Sequence, residues 1–181
     1  QWILDDMPLG DLTTRAFGIG GEPGRMLLSF RKQTRASGLA ASAALLRKLG
    51  LAVELFRSDG EDVAAGEILL EATGNADALH MGWKVSQNII EWSSGVADYT
   101  ARMVSAGKQI RPNLHVACTR KSIPGTKSLA NAAVVHGGGI LHPGGGSETL
   151  LLFANHRLVA QHSDDFAAQV ARPPQRAPAT Q

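Results

Sequence analysis

The chain carries a single cysteine, Cys118, and one tyrosine among 181 residues, and only 5% of its positions are aromatic. One cysteine cannot build an internal disulfide framework, so packing must hold the fold, and such a composition suits a reducing cytosol. Charge of neither sign dominates, since 18 Lys and Arg against 16 Asp and Glu leave a net charge of +2. No block of like charges and no basic stripe interleaved with aromatics occurs, which speaks against a nucleic-acid binder. No apolar run approaches the roughly 20 residues of a membrane span, and no charged-then-apolar leader opens the chain. The expectations are therefore no nucleic acid, no membrane insertion and a cytoplasmic location. What is present is a chain that is 44% hydrophobic, enough to bury a sizeable core in one or two small domains.

Two regions emerge, meeting near residues 95–107. In the first, the turn-rich stretch 18–24 precedes a strand over 26–30. A helix over 39–49 puts Leu39, Ala43, Leu46 and Leu49 on one face, and Gly50 stands as its terminator. Leu51, Val53 and Leu55 alternate as a strand face, and Asp59-Gly60 makes a turn. The stretch 59–70 resembles the half-repeat of a lipoyl or biotinyl carrier domain. No lysine sits in a hairpin where such a domain carries its cofactor, so it reads as a barrel-sandwich scaffold element. Asn75 caps a longer helix in which Leu79, Trp83, Ser86 and Ile90 fall at helical spacing, and most of that stripe reads as core.

The second region reads strand, helix, strand, helix, the pattern of parallel βα units. Residues 114–118 alternate as a strand, 126–135 form a helix packing through Leu129 and Ala133, and 149–154 are a continuous apolar strand. Ser163-Asp164-Asp165 starts a further helix, with a capping serine and acids that suit the helix dipole. The proline-rich tail 172–178 cannot continue it.

The expected strand 114–118 delivers Thr119, Arg120 and Lys121 to its carboxyl end, where ligands bind in α/β folds. Arginine's planar fork matches a carboxylate or phosphate, and lysine adds a movable point charge. Other motifs are weaker. Gly18-Ile19-Gly20 begins like a dinucleotide fingerprint, but Pro23 stands where the third glycine belongs. Gly125-Thr126-Lys127-Ser128 lacks the Gly-Lys adjacency of a phosphate loop. The six histidines show no zinc-ligand spacing, no serine sits in a Gly-x-Ser-x-Gly elbow, and Cys118 on an apolar strand reads as core.

Several segments together resemble the quinolinate phosphoribosyltransferase family, the nicotinate-nucleotide pyrophosphorylases. They are Gly10-Asp11-Leu12-Thr13-Thr14, residues 94–100, Thr119-Arg120-Lys121 with Pro124-Gly125, Gly137-Gly138-Gly139 to His142, and Asn155-His156, in the family's order. Trp83-Lys84-Val85, Pro124-Gly125-Thr126-Lys127, Ser147-Glu148-Thr149 and residues 153–156 look like its ModD branch, found with molybdate-transport genes. The resemblance implies an α+β N-terminal domain over 1–100, of α/β-hammerhead or barrel-sandwich type. Over 101–181 it implies the first βα units of a type II phosphoribosyltransferase α/β barrel. Two such units cannot close a barrel, so the chain is expected to be a truncated piece and inactive by itself.

The family transfers phosphoribosyl from phosphoribosyl pyrophosphate to a pyridine nitrogen, releasing pyrophosphate and then carbon dioxide, with magnesium. By resemblance, Thr119, Arg120 and Lys121 bind the acceptor and the donor, and His142 lines the acceptor pocket. Lys84 takes the place of an arginine that reaches into the neighbouring subunit's site, which implies a homodimer. No metal ligand is expected within this segment, because the family's magnesium-binding acids would lie beyond Gln181. The chain departs from the family pattern at Pro143, where an arginine follows the histidine, at Phe153, where a lysine stands, and at Lys84 itself. A buried carboxylate without its partner costs several kcal/mol, so the expected acceptor is a nitrogen heterocycle less acidic than quinolinate. The alternative is a non-catalytic nucleotide- or oxyanion-binding protein on the same fold.

Overall fold

The computed structural model describes residues 1–141 and 153–159. Two short helices, α1 (Trp2–Asp6) and α2 (Leu12–Phe17), lead into β1 (Pro23–Ser29), β2 (Thr34–Arg35), α3 (Leu39–Lys48), β3 (Ala52–Leu55), β4 (Asp62–Val63) and β5 (Ile68–Asn75). Then come α4 (Ala76–Ile110), α5 (Lys127–His136) and α6 (Ala154–Val159). The residues divide into two compact units, Gln1–His142 and Pro143–Gln181. The first holds every element but α6.

In the first unit β5 is the central strand of an antiparallel sheet ordered β1-β5-β3, with Leu28 opposite Leu70 and Val53 opposite Ala72. A second ladder pairs β2 with β4. Alternation puts Met26 and Leu28 of β1 toward a core built on Leu39, Leu46, Leu70, Leu79 and Ile90. Helices α3 and α4 supply the other side of that core. They approach closely because Gly82 has no side chain: a Cβ there would stand 2.5 Å from Leu46 Cδ2.

Helix α4 runs for 35 residues, about 52 Å at the usual rise. Asn75 Oδ1 starts it by accepting from the N–H of Ala78 at 2.9 Å. Pro112 ends it by holding Arg111 in the extended region, at φ −144° and ψ 113°. The helix passes through residues 95–107 without a break; the division of the chain into domains 1–100 and 101–181 stays a proposal.

Most of the α4 stripe is core, with one exception, and two local expectations need correction. Trp83 is 41% exposed, whereas Leu79, Ser86 and Ile90 are buried. The helical period places it about 40° from Leu79, at the margin of the stripe, where the indole lies along the surface. Residues 114–118 form no strand but a single parallel bridge, Ala117 to Ile140. The alternation survives as burial, with Leu114, Val116 and Cys118 half-buried and His115 and Ala117 exposed, but a ladder needs a partner strand, and among the described residues Ile140 alone bridges to it. Ala154 opens a helix instead of ending a strand. There the N–H of Phe153 donates to His156 Nδ1 at 3.0 Å, satisfying a donor that the helix start would otherwise leave open. Residues 149–152 and the expected helix at Ser163 lie outside the described residues.

Candidate functional site

The turn carrying Thr119, Arg120 and Lys121 is tethered at its root. Ile140 grips both sides of Ala117, its N–H donating to Val116 O at 2.9 Å and its carbonyl accepting from Cys118 N–H at 3.0 Å. Beyond the cations, Thr126 closes a turn onto Ile123 through its N–H (3.0 Å) and its hydroxyl (2.8 Å). Pro124 and Gly125 fill the centre, and Gly125 takes the positive φ, 82°, that the second central position of such a turn can require. Helix α5 follows directly.

Thr119, Arg120 and Lys121 are all exposed. Among the described residues the ion pairs lie elsewhere, joining Arg25 to Glu71, Arg35 to Asp62, Arg57 to Glu67 and Arg102 to Asp98. Glu71 holds the Arg25 guanidinium more firmly charged, and Arg57 pulls the Glu67 carboxyl below its ordinary range. No carboxylate neutralises Arg120 or Lys121 in that way among the described residues. Two adjacent cations on a short turn with a fixed root can hold a phosphate or carboxylate.

The glycine run behind the turn has a packing role. A Cβ on Gly137 would lie 2.5 Å from the Ala97 carbonyl oxygen and 2.6 Å from Thr100 Cβ, both on α4. One on Gly139 would lie 2.9 Å from Thr100 Cγ2 and 3.2 Å from the Val116 carbonyl oxygen. The run threads between α4 and the root of the cationic turn. His142, the acceptor-pocket residue implied by resemblance, lies outside the described residues.

Lys84 sits on α4, half-buried, and donates from Nζ to Gln87 Oε1 at 3.0 Å while lying 4.2 Å from the centroid of the Trp83 ring. Both of these contacts lie within α4. Gln87 also lines a cleft of 590 Å³, with Arg31, Lys32, Glu91 and Asp98, over an apolar floor that includes Phe30. Sequence reasoning gave no hint of that cleft, which joins a loop to a helix face far along the chain. It weighed His136 only as a metal ligand and missed its contact with Ser37, whose Oγ lies 2.8 Å from His136 Nδ1. Among the described residues no three His, Cys, Asp or Glu side chains come together to hold a metal.

Comparison with known proteins decides the family. Residues 11–94 match the quinolinate phosphoribosyl transferase N-terminal domain, and residues 96–178 match the C-terminal domain. The chain belongs to the quinolinate phosphoribosyl transferase family. The two matched domains meet within α4. A relative from Pasteurella multocida, named "Putative pyrophosphorylase ModD", is 45% identical over 98% of this chain and 63% of its own. A namesake from Rhodobacter capsulatus is 42% identical over 94% of this chain and 65% of its own. The chain thus spans less than two thirds of these relatives. NadC from Streptococcus pyogenes, 22% identical, superposes with a TM-score of 0.88 over 99% of this chain and 63% of that one. This likeness confirms the quinolinate phosphoribosyl transferase fold, with a sheet-bearing N-terminal part and an incomplete barrel.

Proposed function

We propose that the protein is a ModD-like phosphoribosyltransferase, moving phosphoribosyl from phosphoribosyl pyrophosphate to a nitrogen heterocycle other than quinolinate and releasing pyrophosphate. The observation that carries this reading is the pair Arg120 and Lys121, uncompensated by any described carboxylate on a turn whose root is pinned by Ile140, in a chain of this family. Transfer of this kind depends on holding two anions together and on stabilising charge as the glycosidic bond breaks, and fixed cations do both. Arg120 would clamp the donor's phosphate oxygens or the acceptor's carboxylate, Lys121 would follow the shifting charge, and Thr119 would donate a hydroxyl hydrogen bond.

Acceptor choice follows from the family resemblance. Lys84, Pro143 and Phe153 stand where the family carries arginine, arginine and lysine, which favours an acceptor with fewer carboxylates. His142 is assigned to that acceptor's pocket. Lys84, steadied by Gln87 and the Trp83 ring, is assigned to the partner's site in a homodimer. Magnesium belongs to the proposal as the donor's counter-ion, but the described residues form no metal cluster, so no residue is assigned to it and no step runs through it. A cytoplasmic setting and a link to molybdate-transport genes complete the reading. No helix among the described residues is long and apolar enough to cross a membrane.

The test is pyrophosphate release from phosphoribosyl pyrophosphate by the full-length protein, with quinolinate and with a panel of pyridine and purine acceptors, beside Arg120→Ala. Release that requires Arg120 and an acceptor other than quinolinate is expected. Robust nicotinate mononucleotide formation from quinolinate would overturn the acceptor assignment, and saturable donor binding with no release under any acceptor would favour a non-catalytic binding protein.

A further inference from the structure

We propose that Ser37 and His136 form a latch through which the N-terminal layer positions the Arg120–Lys121 turn. The proposal rests on that turn being the anion site. Ser37 is 1% exposed, between β2 and α3, and its surroundings hold it from several sides. Its N–H donates to Ser94 Oγ and its carbonyl accepts from the same hydroxyl, both at 3.0 Å. Its neighbour Ala36 exchanges backbone bonds with the facing loop, donating to Glu61 O and accepting from Gly60 N–H, both at 2.8 Å. On the other side, Leu39 N–H donates to the Asp59 carboxylate at 2.8 Å. Ser37 is therefore a fixed point, and its own hydroxyl is left over for one further partner.

That partner is His136 Nδ1, at 2.8 Å, on the last residue of α5. From His136 the path to the cations is short. The carbonyls of Val134 and Val135 accept from Gly139 and Gly138 N–H, each at 2.9 Å, folding the chain back over the helix end. The next residue, Ile140, is the one that grips Val116 and Cys118. Arg120 lies two residues beyond Cys118. The other end of α5 leaves the same turn through Thr126. Helix α5 and its two flanking loops thus carry the cations as one piece.

What sets the orientation of that piece is the question the latch answers. Helix α5 packs on α4 around the buried Ala133, but apolar contact is non-directional and permits sliding and rotation. A hydrogen bond fixes direction as well as distance. The Ser37–His136 bond joins residues 99 apart in sequence, from the sheet-bearing layer to the end of α5. Ser37 is 1% exposed and so closed to a ligand, and its hydroxyl is engaged by His136, so both residues are positioning residues and take no part in bond making.

The test titrates inorganic pyrophosphate into the full-length protein and its Arg120→Ala, Ser37→Ala, His136→Leu and His136→Asn variants by calorimetry, with thermal unfolding of each in parallel. Arg120→Ala is expected to weaken binding about 10- to 100-fold. Ser37→Ala and His136→Leu are expected to weaken it about three- to tenfold, the worth of one net hydrogen bond. His136→Asn, whose amide puts a polar group close to the Nδ1 position, is expected to restore affinity to within about twofold of the parent. Wild-type affinity in Ser37→Ala and His136→Leu beside a defective Arg120→Ala overturns the latch alone, as does a His136→Asn as weak as His136→Leu. A lowered melting temperature with unchanged affinity also overturns it, because that is what a merely structural bond would give. An Arg120→Ala that binds normally overturns the anion-site reading first and the latch with it.

Discussion

Thr14 Oγ1 lies 2.6 Å from Nδ1 of His80. The same hydroxyl donates to Asp11 Oδ1 at 2.7 Å. Its one hydrogen is committed to a carboxylate that can only accept, so His80 Nδ1 must be the donor and the ring's tautomer is set. The relay ties the start of α2 to α4, across 66 residues of chain, and it leaves a mark on Asp11. The Thr14 hydroxyl, helped by the Thr14 N–H, holds the Asp11 carboxyl below the usual carboxylate range.

Acid stability should report that relay. A carboxyl whose folded pKa lies below its unfolded one, about 4, contributes stability that is complete above the unfolded value and is lost as pH falls through the folded one. Asp11→Asn keeps an oxygen to cap α2 but cannot titrate. The urea midpoint of the parent is expected to fall more steeply than that of Asp11→Asn between about pH 5 and pH 3. Near neutrality the parent should be the more stable of the two, and the gap should close toward about pH 3. Parallel slopes would remove the relay's influence on Asp11.

The sequence made local features readable and concealed paired ones. The Asn75 cap and the buried faces of α3 and α4 depend on residues within a few turns of one another, and their spacing exposes them. The Pro124-Gly125 turn is equally local. Trp83 is the exception in its stripe because its spacing fits while its phase sits at the margin. Residues 114–118 kept the alternation of a strand without its ladder, since hydrogen bonding belongs to the pair and not to the segment. Ser37 with His136, Thr14 with His80, and Gly137 against the Ala97 carbonyl are contacts between distant segments. No pattern in the chain announces them. The glycine run was legible as a motif, but its packing reason required α4 to be in place.

That packing reason predicts opposite signs for two glycine substitutions. Gly137→Ala drives a Cβ toward the Ala97 carbonyl oxygen and Thr100, neither of which can swing away from the α4 backbone. Destabilisation of about 1–3 kcal/mol or more is expected. Gly95 also lies beside this region, inside α4, yet nothing stands within 4 Å of a Cβ added there. Gly95→Ala should stabilise by up to about 1 kcal/mol through helix propensity alone. Urea denaturation of both variants checks the pair, and a loss of stability in each would sink the distinction.

Trp83 and Ile90 separate the margin of α4 from its core. Ile90 is 4% exposed and belongs to the central cluster, so Ile90→Ala should cost about 2–5 kcal/mol. Trp83→Ala removes a larger side chain, but one lying on the surface beneath Lys84, and should cost less than about 1 kcal/mol. Denaturation midpoints of the two proteins decide this directly. A Trp83→Ala as damaging as Ile90→Ala would return Trp83 to the core, or place it in an interface that the single chain does not show.

Arg120 and Lys121 should differ in kind as well as in degree. A guanidinium can present two parallel donors to one phosphate, whereas an ammonium supplies a point charge. Arg120→Ala is expected to weaken pyrophosphate binding by the full protein about 10- to 100-fold, the worth of a lost charge-assisted bond. Arg120→Lys should recover only part of it, and Lys121→Arg should leave binding closer to the parent than Arg120→Lys does. Both cations are exposed, so their attraction is open to screening, and the gap between parent and Arg120→Ala should narrow as salt rises from about 0.01 M to 0.15 M. Calorimetric titration at the two ionic strengths checks both statements together. A gap that ignores salt would mean that Arg120 shapes the turn and does not attract the anion, because only the charge of the side chain is screened and its packing is not.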